Sequence, residues 1–181
     1  MFSYVCKLVT LKLFKFKIVG EFPTNKKLVL LVFPHTSNWD FIIAIGIRTL
    51  LGEQINFVIK KEYYNFLTTN FFNSLGGRPI DRSGKMNSVE KISEMLKNNE
   101  VFRIAIAPEG TRKLVDNWKT GFYHIALKAN CKILPVAFDW KKREVKIFEV
   151  FSPTKNFTND LKFLKSLFKG IKGKIPGNSN L

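Results

Sequence analysis

The chain has 181 residues, enough to bury a substantial core, and a 45% hydrophobic content with 18 Phe excludes a disordered polypeptide. Two distant cysteines, Cys6 and Cys131, suggest no metal knuckle and fit a reducing compartment with no disulfide framework. A net charge of +16 calls for an anionic partner.

That charge is unevenly placed. Residues 1–27 hold 6 Lys/Arg against 1 acid, and residues 141–181 hold 10 against 3. The 113 residues between them hold 14 against 10, an ordinary enzyme-like balance. No apolar run approaches the roughly 18 residues needed to span a bilayer. Lys7, Lys12, Lys15 and Lys17 break up any secretory signal. The expectation is a protein without a transmembrane helix or signal peptide, lying peripherally on the cytoplasmic face of a membrane.

In chain order, residues 1–19 mix apolar residues with lysines. The first part fits an amphipathic helix and residues 11–19 alternate well enough for a strand, and periodicity does not separate the two. Gly20, Pro23 and Asn25 mark a turn. Residues 28–33 are a continuous apolar run, the pattern of a strand buried on both faces. An apolar helix is predicted over 41–51, stopped by Gly52, then a strand over 55–59 and an aromatic-rich helix over 63–72.

A glycine-led turn and short strand occupy 75–82, and an amphipathic helix is predicted over 86–99. A strand over 101–107 runs into the loop Pro108-Glu109-Gly110-Thr111-Arg112. A helix over 122–129 follows, then strands over 133–140 and 145–151. The last helix, 160–171, sets Leu161, Leu164, Phe168 and Ile171 on one stripe flanked by Lys162, Lys165 and Lys169. Strands alternating with helices predict a single α/β domain over 1–181, a mostly parallel central sheet flanked by helices.

Ligands of such sheets collect beyond the carboxyl ends of the strands. Three polar stretches sit there: His35 to Asp40, Arg78 to Arg82, and Glu109 to Arg112. A neutral His35 can take a proton near pH 7, and a carboxylate beside it would fix its tautomer. Ser37-x-x-Asp40 is equally a capping-box pattern with Asp in place of Glu. Read alone, the junction fits a helix cap as well as a general base.

His35-x-x-x-x-Asp40 after a buried strand, with Glu109-Gly110-Thr111-Arg112 after a later one, resembles the glycerolipid acyltransferase family. That family includes the 1-acylglycerol-3-phosphate acyltransferases. Lys60, Gly77 to Arg82, and Ile133-Leu134-Pro135-Val136 are similar and in the same order, so the resemblance covers roughly residues 17–140. It implies that His35 deprotonates an acceptor hydroxyl, that Asp40 orients it, and that the oxygen attacks an acyl thioester without an acyl-enzyme.

Lys60, Arg82 and Arg112 match positions that hold the acceptor's phosphate, and Glu109, Gly110 and Thr111 would shape the pocket. The implied partners are a lysolipid, an acyl-carrier-protein or coenzyme A thioester as donor, and an anionic membrane surface. No cofactor and no metal are implied. Pro34 stands where the family usually has Asn, and Arg78-Pro79 replace apolar residues, so Arg78 either adds a phosphate contact or lies in solvent.

Bland readings remain for each stretch. Arg82 with Asp81 fits a surface ion pair, Glu109 to Arg112 a polar turn, and His124 a packed or capping histidine. Residues 63–72 fit core packing better than an acyl tunnel. The basic stripe of 160–171 suits the headgroup layer of an anionic membrane. No nucleic-acid module is recognisable, which argues against a nucleic-acid partner. Within acyl transfer, a lyso-aminolipid acceptor is the alternative, and a lipid-binding protein without catalysis is a further one.

Overall fold

The computed structural model describes residues 1–80 and 88–179. Within them, the strands are β1 (Lys17–Val19), β2 (Lys27–Phe33), β3 (Asn56–Lys60), β4 (Gly77–Ile80), β5 (Phe102–Ile106), β6 (Lys132–Asp139) and β7 (Glu144–Ile147). They form one seven-stranded sheet in the order β1-β7-β6-β2-β5-β3-β4, parallel throughout except for the β6–β7 pair. The helices are α1 (Phe2–Leu8), α2 (Trp39–Leu51), α3 (Thr69–Ser74), α4 (Ser88–Asn98), α5 (Gly121–Lys128) and α6 (Phe157–Leu167). The expected α/β architecture is the one found.

The apolar run of β2 lies at the centre because both of its faces are covered. Val29, Leu31 and Phe33 pack against Leu96 of α4, Phe122 and Ile125 of α5, and Leu164 of α6. Leu28 and Leu30 point the other way, onto Ile43 and Ile47 of α2. Truncating Leu31 to Ala would cost about 2–5 kcal/mol, the usual range for a fully buried leucine. Gly52 ends α2 in the left-handed conformation at φ +69°, as the sequence suggested.

The N-terminal ambiguity resolves as both readings in series. After α1 the chain widens into a π-helical turn, Val9–Leu13, and Phe14 N–H bonds back to the Val9 carbonyl at 2.9 Å. Only Lys17–Val19 is strand. α1 and this turn lie on α2 at Gly46, where a Cβ would stand 2.1 Å from Thr10 Oγ1 and 2.7 Å from the Cys6 carbonyl. Glycine is what lets the two backbones meet.

Two expectations need correction. The helix predicted over 63–72 shrinks to Thr69–Ser74, because the Asn65 side chain accepts the Leu67 and Thr68 N–H groups at 3.0 and 3.1 Å and holds a turn. Instead of core packing, that turn puts Phe66 and Leu67 on the surface. The second concerns the stripe read as bilayer-facing: Leu164, Phe168 and Ile171 are buried in the core. α6 turns its apolar side to the sheet and leaves Thr158, Asn159, Lys162, Phe163 and Ser166 exposed. No helix among the described residues is long and apolar enough to cross a membrane.

Candidate active site

Strand register builds the site. β2 pairs Leu31 with Ile106 of β5 and Phe33 with Ala137 of β6. Three residues beyond each pair, Pro34 comes level with Glu109 and Thr36 with Trp140, so all three strands discharge their loops at one place. α2 begins there, with Asp40 in its first turn.

Asp40 is 1% exposed, yet both its oxygens have partners. Oδ2 lies 3.2 Å from His35 Nδ1 and accepts the Thr36 and Ser37 N–H groups, each at 2.8 Å. Oδ1 accepts the indole N–H of Trp140 at 2.7 Å. With Nδ1–H directed at the carboxylate, Nε2 is the nitrogen left to take a proton. The His35 side chain is 28% exposed, open enough to meet a substrate.

Cap and base are compatible in this geometry. Asp40 does close the first turn of α2, by accepting the Ser37 N–H. The reciprocal half of a capping box is missing, because Ser37 Oγ accepts from Trp39 N–H at 3.2 Å instead. The contact that closes the turn therefore also holds the carboxylate against the imidazole.

Glu109 joins this centre through the backbone. Its Oε1 accepts the His35 N–H at 2.9 Å, while Oε2 is buried with no partner. Burial pushes its carboxyl up to about 7, against the pull of the His35 N–H, its own N–H and the imidazole; the Asp40 carboxylate pushes the same way as burial. Gly110 follows at φ +64°, and the side chain of Lys119 packs so close that a Cβ there would stand 2.9 Å from Nζ. Thr111 is exposed and accepts the Lys113 N–H at 3.3 Å. Arg112 is exposed and its guanidinium donates to Asn38 Oδ1.

The other predicted residues divide. Lys60 is exposed at the carboxyl end of β3, on the same rim of the sheet. Arg82 lies outside the described residues. Arg78 is not brought to the site: its Nε donates to Asn56 Oδ1 at 3.0 Å, and its guanidinium lies 5.9 Å over Phe102. Both contacts are at the amino-terminal ends of β3 and β5, the opposite end from His35. His124 is exposed, and its ring stacks on that of Phe157 at 6.1 Å instead of lying packed in the core.

Trp140 and Lys119 were missed by sequence reasoning. The rule that places ligands beyond strand ends, applied to β6, would have reached Trp140. The segment 172–178 was missed too, and it returns to this rim. Trp140 N–H donates to the Lys172 carbonyl at 2.8 Å, Ile175 N–H to Thr36 Oγ1 at 3.2 Å, and Asn178 Nδ2 to the Arg112 carbonyl at 2.9 Å.

Under the second half of α2, a cavity of about 60 Å³ is lined by Leu30, Ala44, Ile47, Leu51, Val136 and Phe138. It is well below the roughly 150 Å³ that admits benzene, too small as it stands for an acyl chain.

The family model described as Acyltransferase matches residues 15–139, which is more than half of the chain. No curated protein gives a significant match.

Proposed function

The chain belongs to the acyltransferase family, the glycerolipid acyltransferases its motifs resemble, and on that premise we propose that it transfers a fatty acyl group from a thioester to a lysolipid hydroxyl. One observation carries this reading: His35 Nδ1 sits 3.2 Å from an Asp40 oxygen that two backbone N–H groups already hold in place.

In the reaction, His35 Nε2 takes the proton of the acceptor hydroxyl as its oxygen attacks the thioester carbonyl. The tetrahedral intermediate collapses, the C–S bond breaks, and the imidazolium returns the proton to the departing thiolate. Asp40 stabilises the imidazolium between these steps. General-base catalysis of this kind supplies about 10²- to 10⁴-fold. Lys60, Arg112 and Lys119 are the cations for an acceptor phosphate on the described rim, where a guanidinium can grip two oxygens at once. The acceptor favoured is 1-acylglycerol-3-phosphate, and the donor is an acyl-carrier-protein or coenzyme A thioester.

Arg78, turned toward Asn56, adds no cation to this pocket. That supports a lyso-aminolipid acceptor as the second reading. Purified protein assayed with both thioester types against a panel of lysolipids decides between them. His35→Ala should lose at least about a hundredfold in rate with its fold intact. A variant retaining more than about a tenth of the rate would remove the base from the mechanism.

A further inference from the structure

The helical stretch 2–13 is apolar nearly all the way round. Its inner side, Cys6 and Thr10, is buried on α2, while Phe2, Tyr4, Val5, Leu11 and Leu13 face solvent. A helix apolar on every side is normally enclosed; this one is covered on one side only. Beside it, the turn before α3 holds Phe66 and Leu67 at 96% and 82% exposure, with Tyr63 and Phe71 also exposed.

Ring contacts join the N-terminal stretch to apolar neighbours at both ends, making one strip. The Phe71 ring meets that of Phe2 at 5.2 Å, edge to face. At the far end Phe14 meets Trp39 at 5.0 Å, and the exposed Trp39 lies four residues from His35. An exposed apolar surface of this extent marks an interaction site on a folded chain.

Charge identifies the occupant. No acidic residue precedes Glu21, whereas Lys7, Lys12, Lys15 and Lys17 line the same stretch, and residues 63–77 carry no charge at all. Apolar residues edged mainly by lysines, with Glu62 beside Tyr63 offset by Lys60 and Lys61, match an anionic lipid surface.

We infer that the strip from Phe66 and Phe71 through the N-terminal helix to Trp39 is the face by which this protein lies on an anionic bilayer. The choice of a bilayer over a protein partner rests on the proposed reaction, whose acceptor and product are membrane lipids. The docked orientation sets the Trp39 end, next to His35, in the headgroup layer, where a lysolipid can reach the base without leaving the membrane. It also moves the anchor away from α6, whose apolar side is buried.

The test uses the whole chain and vesicles of phosphatidylcholine with and without phosphatidylglycerol. Co-sedimentation is expected with the anionic vesicles and much less with the neutral ones. Tyr4→Asp with Val5→Asp, and separately Phe66→Asp with Leu67→Asp, should each weaken binding at least about tenfold. Their unfolding midpoints should stay near wild type, since these side chains are already in water. Tryptophan emission should shift to the blue on binding, and Trp39→Phe should remove the shift.

Wild-type affinity in both double variants overturns the proposal, as does a wild type that ignores anionic vesicles. A concentration-dependent dimer abolished by the Tyr4 and Val5 changes would assign the strip to a second copy and overturn it too. Acyl transfer to a detergent-dispersed lysolipid is measured in parallel. Transfer without vesicle binding refutes only the docking face; binding without transfer refutes only the activity.

Discussion

The Trp140 indole N–H meets Asp40 Oδ1 at 2.7 Å, and with that bond the carboxylate beside His35 has a donor on each oxygen. The two residues are 100 positions apart and are neighbours only because β6 runs parallel to β2 in a fixed register. The Lys174 ammonium lies 4.5 Å over the Trp140 ring and steadies the indole from its other face. Asp40 can therefore neither rotate away from the imidazole nor be drawn off by solvent.

Trp140→Phe keeps an aromatic ring there and deletes the N–H. Oδ1 of a buried carboxylate then lacks its partner, which should cost about 1–3 kcal/mol of stability in urea unfolding. The rate of acyl transfer should fall about tenfold, because small errors in orienting a base are amplified in the barrier. Asp40→Asn, which also alters the contact to Nδ1, should fall further. If Trp140→Phe equals wild type in both measurements, the indole does not position Asp40.

Glu109 makes stability depend on pH in a defined direction. Its folded carboxyl lies near 7 because of burial, against an ordinary value of 4.5. Below about pH 4.5 both folded and unfolded states hold the proton, and no penalty arises. Between 4.5 and 7 only the folded state keeps it, so rising pH favours unfolding, at about 1.4 kcal/mol per unit. Glu109→Gln preserves an acceptor for the His35 N–H and removes the titration. Relative to wild type, the variant should gain roughly 3 kcal/mol between pH 4.5 and pH 7 and nothing further above that. Parallel pH profiles for the two proteins would show that this carboxyl is not raised.

Much of this was readable in the residues because some patterns have one physical meaning. Six apolar residues from Leu28 to Phe33 without a polar break are too short for a buried helix and fit a strand covered on both faces, and that strand fixes where His35 emerges. Glu109 follows by the same logic from β5. Other patterns have two meanings. An amphipathic stripe such as Leu164, Phe168 and Ile171 looks the same whether it faces a core or a bilayer, and only the fold chose the core. Arg78 and Ile80 share one face of β4, but which end of the sheet the guanidinium reaches depends on Asn56, 22 residues away in sequence. The Trp140 contact depends wholly on strand register, which no local pattern encodes.

Gly46 is where the N-terminal helix rests on α2. In Gly46→Ala the new methyl would have to displace Thr10 Oγ1 from 2.1 Å and the Cys6 carbonyl from 2.7 Å, and the second is backbone that cannot swing aside. Overpacking of this kind costs about 1–3 kcal/mol. The expected result is a lower urea midpoint together with faster amide exchange in residues 2–13, while exchange in β2 is slowed to near the wild-type extent. Equal loss of protection in β2 would mean that the helix and the sheet unfold as one unit.

Lys119 offers a way to separate recognition of the acceptor from the chemistry. Its ammonium lies against Gly110, which has no side chain to keep the cation away. An anionic headgroup on this rim would form a charge-assisted hydrogen bond to it, of a kind worth about 1.5–3 kcal/mol. Lys119→Ala should accordingly raise KM for a phosphate-bearing lysolipid about tenfold or more and leave KM for the thioester unchanged. A lysolipid without phosphate should be acylated by the variant as it is by the wild type. A loss shared equally by both acceptors would place Lys119 in the support of the Glu109 loop and not in the headgroup site.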